Sequence, residues 1–427
     1  MLKTAHNLPG TATLPATGAT GPKVAEKSTA REALKVALLV WFAVRVLLSG
    51  WGATLLITGN AQPGESAHPD YAYARWPERD LYGMTVGLWN VYDTYHYTEI
   101  VEHGYEADPA WLTAYFPGLP LLIKLVNIFT LGDSVLSGWL IANFSAIIFF
   151  WYLYRLVESE YGAAAARRAV IFSAIFPASF FLFLGYVEST FLAATVAAFY
   201  YARASNWWLA GILGGMAALC KQPGVFLCVP FAYMYLREHA TRQGIERPMS
   251  LLGRPLALLK TWQWLWLLLI PMAAGAYTLY RYLFIKTPIT GAADLGGQEQ
   301  LQFPGVPLLR AIVQVRPDNP MLSFNLMDIF FTVVLVALVA GVILKVKSVE
   351  LRLYSLVLLI ANLSLTMYTY IYRPEVNVPR RTLIIFPIFI FLGVALEKPR
   401  TFRLVAALSL VGCIFLSGLW VLWIFVS

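Results

Sequence analysis

Among the polar stretches of this 427-residue chain, residues 92–105 are the most suggestive of chemistry. They read Tyr92-Asp93-Thr94-Tyr95-His96-Tyr97-Thr98-Glu99-Ile100, then Glu102-His103-Gly104-Tyr105. On a helix, Asp93, His96, Tyr97 and Ile100 share one face by three- and four-residue spacing. A carboxylate, an imidazole and a phenol beside an apolar anchor could take a proton and orient a hydroxyl. From spacing alone the plainer reading is favoured, an amphipathic helix lying at a membrane interface with Tyr and Trp at headgroup level. Glu188 opens a later apolar run, where it fits a dipole-stabilised helix N-terminus. His103 and His239 have no companion ligands, and no acidic pair of the nucleotide-sugar kind is present, so no metal and no cofactor are expected. Cys220, Cys228 and Cys413 lie inside apolar runs and read as packing residues.

The elements that would hold these groups are membrane helices. Hydrophobic residues make up 59% of the chain and charged residues 13%, against about 25% charged in soluble domains. The apolar residues come in blocks such as Trp264 to Ile285 and Phe402 to Val426, and about 20 such residues cross a bilayer core. In lipid each block must be helical, because no water satisfies open backbone groups. The expected fold is therefore all-α, a polytopic membrane helix bundle. Spans are expected over 34–57, 139–157, 169–186, 190–204, 207–219, 225–236, 264–285, 327–346, 351–372, 382–396 and 402–426. That makes about eleven by the length rule. The block 116–131, with Pro117, Gly118, Pro120 and Lys124, is short for a span and reads as re-entrant or surface-lying. Residues 1–33 read as a disordered cytoplasmic tail rich in Ala, Thr, Gly and Pro.

Charge sets the orientation. Lys23, Lys27, Arg31 and Lys35 precede the first span, and the loop 59–115 after it is acidic, so the tail is expected inside and the loop outside. The net charge of +8 follows from cytoplasmic Lys and Arg. No basic stripe is interleaved with exposed aromatics, so nucleic acid is not an expected partner. One group breaks the rule. Arg373, Arg380 and Arg381 fall on the outer side with only Glu375 to offset them, and Lys221 faces the same way. Cations there call for an anionic ligand. Arg45, inside the first span, is expected to snorkel or to pair with an acid.

The run from Tyr92 to Tyr105 resembles the Trp-Asp-x-x-His/Trp-Tyr-x-x-Ile-x-x-x-Gly-Tyr signature of the GPI mannosyltransferase 2 (PIG-V) family, a branch of the GT-C glycosyltransferases. Tyr92 stands where that family usually has Trp. Tyr115-Phe116-Pro117-Gly118-Leu119-Pro120-Leu121 is similar to its Phe-Phe-Pro-x-x-Pro-Leu segment. Pro177-Ala178-Ser179-Phe180-Phe181 with Tyr186-Val187-Glu188-Ser189 resembles its Pro-x-x-Phe-Phe and Tyr-Ser-Glu-Ser element. Lys221-Gln222-Pro223-Gly224 carries Lys where the family commonly has Arg. Arg380-Arg381-Thr382 ahead of Phe386-Pro387 looks like its Arg-Tyr segment before Phe-Pro. The matches run in order from Tyr92 to Pro387.

The resemblance implies a GT-C transmembrane domain over 34–427 that moves mannose, or a related hexose, from a polyprenyl-phosphate sugar to a lipid-linked or glycolipid acceptor. The carrier lipid is then a co-substrate and membrane lipids surround the protein. It also implies Asp93 as general base and His96 as its orienting or acceptor-holding partner. Tyr97 and Glu188 would face the sugar or acceptor. Arg380 and Arg381, then Lys221 and Arg373, would face the donor phosphate, where fixed positive charge stabilises the departing group. The setting implied is a bacterial plasma membrane, or the endoplasmic reticulum membrane in a eukaryote, with the site on the outer or lumenal face. The rival readings are a lipid-sugar flippase, which would place charges along a midplane path, and an inactive subunit of a glycosylation complex.

Overall fold

A computed structural model describes residues 22–58, 80–107, 112–245, 262–286, 299–367, 372–375, 377–422 and 424. The described elements are helices apart from two three-residue strands, β1 (Glu299–Leu301) and β2 (Leu365–Met367), which pair antiparallel. Five helices are long and apolar enough to cross a membrane: 30–57, 134–175, 262–285, 322–345 and 399–421.

The first, α1 (Pro22–Ile57), begins inside the segment expected as a tail; residues 1–21 lie outside the described residues. Two short helices follow from the polar loop, α2 (Leu81–Thr85) and α3 (Asp93–His103), and a third, α4 (Gly118–Val126), from the block after it. At nine residues, α4 is about 13 Å long and cannot cross, as its length and prolines anticipate. Residues 59–79 and 108–111 of that loop lie outside the described residues.

The spans expected at 139–157 and 169–186 are two limbs of one element, α5 (Ser134–Ile175), broken at Gly162 with φ 80° and ψ 167°. The charged residues between the limbs read as a loop, yet Ala163 to Ala166 continue as helix, and glycine alone takes the left-handed turn between them without a Cβ clash. The second limb stops at Ile175 because Pro177 follows, and Ser179–Phe183 forms a 3-10 turn instead of more span.

Next come α6 (Glu188–Arg203), α7 (Trp207–Cys220) and α8 (Cys228–Arg242). Nearly all of α6 is buried, and its alanines let α5 and α7 pack closely on either side. A helix hydrophobic all round belongs at the centre of the bundle, and α6 is that helix. The remaining helices are α9 (Leu269–Tyr280), α10 (Val306–Val313), α11 (Leu322–Lys345), α12 (Val349–Ser364), α13 (Val378–Leu383), α14 (Pro387–Ala395) and α15 (Pro399–Val421). The expected span 351–372 ends as helix at Ser364 and passes into β2; the expected span 382–396 is two short helices parted before Pro387.

Candidate active site

Four helix starts or ends converge at one end of the bundle. Asp93 is the first residue of α3, Glu188 the first of α6, Lys221 the residue after α7, and Arg380 lies in α13. Arg380 joins them. Its Nη1 donates to Asp93 Oδ2, and its Nε donates to Glu188 Oε1 at 2.5 Å. Lys221 Nζ lies 2.6 Å from the same Glu188 oxygen. Two acids and two bases thus form one chain, Asp93–Arg380–Glu188–Lys221, drawn from segments up to 287 residues apart.

Its burial is graded. The Glu188 side chain is 0% exposed and Arg380 10%, whereas Asp93 is 17% and Lys221 22% exposed. The chain is sealed in the middle and open at both ends. A buried charge is tolerated only when paired and hydrogen-bonded, and the two cations meet that need for Glu188.

The walls are aromatic. Arg380 lies over the Tyr186 ring at 4.6 Å and the Phe181 ring at 5.4 Å, a cation–π setting. Tyr186 Oη accepts from the Asp93 backbone N–H at 3.0 Å and donates to Val91 O at 3.3 Å, so it fixes the start of α3. Tyr115 Oη donates to Asp93 Oδ1 at 3.1 Å. Just before Asp93, Tyr92 sits at φ 54° and ψ −122°, a costly conformation for a residue with a Cβ. Its ring packs on Trp420 of α15, centroids 4.5 Å apart, which holds the strained peptide in place.

Two glycines allow the segments to approach. A Cβ on Gly118 would stand 2.8 Å from Leu219 O and 2.9 Å from Cys220 N, so α4 meets the end of α7 only as glycine. A Cβ on Gly185 would stand 2.9 Å from Thr94 Cγ2, which sets the gap between α3 and the turn before α6. Gly118 falls in a segment quoted for the family resemblance, and Gly185 stands immediately before another.

The other expected site residues lie beside this chain or away from it. His96 is buried, its ring 5.0 Å from that of Tyr115 and its Nδ1 3.8 Å from Glu99 Oε2. It reaches Asp93's surroundings through Tyr115. Tyr97 packs edge-on against Tyr115 at 5.2 Å, and burial pushes its phenol well above the usual range, so it stays neutral.

Arg373 and Arg381 do not join Arg380. Arg373 is held by Asp328 of α11 through Nε–Oδ2 at 2.5 Å and Nη2–Oδ1 at 3.2 Å, with both side chains buried. Arg381 lines a small cleft with Thr332, Asn362, Glu375 and Val378. Successive residues on a helix point about 100° apart, so Arg380 and Arg381 face different sides of α13. In that second cluster Glu375 accepts from Thr332 Oγ1 at 2.8 Å, and burial raises its carboxyl to about 7. Among the described residues Arg45 pairs with no acid; it donates to Phe183 O at 3.0 Å and Thr85 O at 2.5 Å, between the rings of Trp89 and Trp139.

Three participants carry no role in the sequence reading. Tyr115 and Tyr186 stand inside quoted motifs, but a phenol's partner depends on tertiary approach. Asp328 did leave a signal, as the lone acid in the apolar run from Leu326 to Leu344.

Known proteins match this chain in part. The family model described as dolichyl-phosphate-mannose-protein mannosyltransferase matches residues 115–266, a stretch that holds Tyr115, Glu188 and Lys221 but neither Asp93 nor Arg380. Comparison with curated proteins finds no match. Among solved structures, the archaeal oligosaccharyltransferase AglB from Archaeoglobus fulgidus, in complex with an inhibitory peptide and a dolichol-phosphate, is similar at 13% identity and a TM-score of 0.40. That likeness covers 90% of this chain and 56% of AglB, so this chain spans little more than half of that protein's length. The family match covers about a third of this chain.

Proposed function

We propose that this protein transfers mannose, or a closely related hexose, from a polyprenyl-phosphate carrier to a lipid-linked or glycolipid acceptor at the outer face of the membrane. The observation that carries the reading is the Asp93–Arg380–Glu188–Lys221 chain. It sets a carboxylate open to solvent next to a paired guanidinium and ammonium, which are the groups an acceptor hydroxyl and a phosphate leaving group need. The donor is the one named in the description of the matched family; the lipid acceptor follows from the PIG-V resemblance.

In this reading the acceptor oxygen attacks the anomeric carbon from the side opposite the phosphate. Its proton passes to Asp93. The carbon–oxygen bond to the phosphate breaks, and its electron pair remains on the phosphate oxygen. Arg380 and Lys221 meet the charge that grows there, which is where preorganised cations lower a barrier most. One displacement inverts the sugar carbon. Tyr115 and Tyr186 hold the base; His96 and Tyr97 pack behind Tyr115.

The test is transfer of labelled mannose from polyprenyl-phosphate mannose to membrane lipids by purified wild type and Asp93→Asn. Wild-type transfer, lowered about 10² to 10⁴-fold in the variant, is the expected result for loss of a positioned base. Equal transfer in both removes Asp93 from the mechanism. No transfer by wild type from any polyprenyl-phosphate hexose overturns the reading.

A further inference from the structure

The proposed base and the proposed phosphate ligand neutralise each other. Asp93 Oδ2 accepts from Arg380 Nη1 while Arg380 Nε is taken by Glu188. With Lys221 on Glu188 as well, the four groups carry no net charge, and an incoming phosphate finds no unopposed cation among them. The two acids are not equivalent in this respect. Glu188 is fully enclosed and shared by both cations, so moving it would cost buried Arg380 one of its two carboxylates and Lys221 its carboxylate partner. Asp93 is more exposed, sits on the first turn of a short helix, and holds one cation only.

Resting on the function proposed above, we infer that Asp93 and the phosphate of the donor take the same place on Arg380. Glu188 is then the fixed counter-ion that positions Arg380 and Lys221, and Asp93 is the exchangeable one. The donor phosphate displaces the Asp93 carboxylate from Arg380 and thereby frees it to accept the proton of the acceptor hydroxyl. Donor binds first, acceptor second. A carboxylate released before the donor arrives would have no reason to leave its cation, so the base is unmasked only when a sugar is in place to be attacked. Tyr115, whose Oη donates to Asp93 Oδ1, remains as the partner of the released carboxylate.

This arrangement makes an unusual demand, because removing a residue of the active site should strengthen substrate binding. The experiment measures binding of a long-chain polyprenyl monophosphate to full-length protein in nanodiscs, with the uncharged polyprenol as control for the lipid tail. Asp93→Asn and Asp93→Ser are expected to bind the monophosphate about fivefold more tightly than wild type, as when a partly exposed ion pair worth about 1 kcal/mol no longer competes. Asp93→Glu, which restores the charge, is expected to return towards wild type. Arg380→Gln should weaken binding whether or not Asp93 is present. Thermal unfolding of each variant fixes the folded fraction. Monophosphate affinity that is unchanged or weaker in both charge-free Asp93 variants, with polyprenol affinity constant, overturns the inference and leaves the proposed reaction standing. Wild type that binds monophosphate no better than polyprenol, with Asp93→Asn the same, overturns both.

Discussion

The central helix α6 carries a charge cluster at each end, and the two are built differently. At its first residue, Glu188 belongs to the chain described above. About 22 Å away by helix rise, at its last residue, Arg203 reaches Glu160 Oε2 at 3.0 Å and Glu350 Oε1 at 3.3 Å. Arg237 closes that second cluster on Glu350 Oε2 at 3.2 Å, and Ser348 Oγ donates to Glu160 Oε2 at 2.5 Å. Both clusters have two acids and two bases. The distal one ties α5, α6, α8 and α12 through charges that lie within those helices, Glu160 two residues before the break at Gly162, and its most buried member, Glu350, is an acid held by two arginines on separate helices. The proximal one draws on a strained turn before α3, the extended residue after α7, and a six-residue helix that follows Asn377 in left-handed conformation. All four distal charges lie inside helices, whereas Asp93 and Glu188 open theirs and Lys221 stands just past the end of α7.

The largest expected difference comes from neutralising one acid in each. Asp93→Asn should lower transfer about 10² to 10⁴-fold and leave thermal stability near wild type, since its side chain is partly exposed and keeps Tyr115 as a partner. Glu350→Gln should do the reverse. Loss of charge from a buried acid with two cationic partners costs about 1–3 kcal/mol, while transfer per folded molecule stays within about twofold, inside the usual scatter for a site that adds no catalytic group. Unfolding curves and transfer rates on the same samples decide it. A fall in transfer per folded molecule with Glu350→Gln would dissolve the distinction between the two ends.

How much of this was legible in the sequence follows the same division. Asp93 stood out by its spacing with His96, Tyr97 and Ile100, Glu188 as the charge that opens an apolar run, and Lys221 and Arg380 as cations on the side where the charge rule expects few. Their convergence was not legible from spacing, and only the ordered resemblance placed them in one site. The helical content and most helix positions follow from the apolar blocks. The break at Gly162 was missed, since charged residues around it read as a loop between two spans although helix runs on both sides. Arg373 was grouped with Arg380 because topology put both on one face. Its partner Asp328 lies in a different helix, and no spacing in the sequence links them.

The Arg373–Asp328 pair offers a sharper cut, because it is a closed ion pair like the distal cluster yet Arg373 stands seven residues before Arg380. Arg373→Met alone leaves Asp328 buried without its cation and should cost about 3–5 kcal/mol of stability. Arg373→Met combined with Asp328→Leu removes both charges and should recover most of that loss. Differential scanning fluorimetry on the single and double variants reads it. If the double variant regains stability but not transfer, the pair positions the segment that leads to Arg380; if it regains both, the pair is packing alone.

The smallest effect expected is a pH dependence that separates the second cluster from the first. Glu375 is buried against Thr332, near Asp328 and Arg381, and its carboxyl is raised to about 7. The folded protein therefore holds this proton through a range where the unfolded chain has released it. Such a group stabilises the fold fully below the ordinary carboxylate range, and its contribution is lost as pH rises through the folded value. Wild type should unfold at a higher temperature near about pH 5.5 than near about pH 8. Glu375→Gln, which stays uncharged throughout, should flatten that slope. Transfer should follow a different curve, because the groups proposed to act on substrate belong to the Asp93 chain and not to this cleft. The same Glu375→Gln variant should keep the wild-type pH profile of transfer, measured from folded protein at each pH. A profile that shifts with Glu375→Gln would place the cleft within the catalytic unit and make Arg381, which lines it, a partner of Arg380 after all.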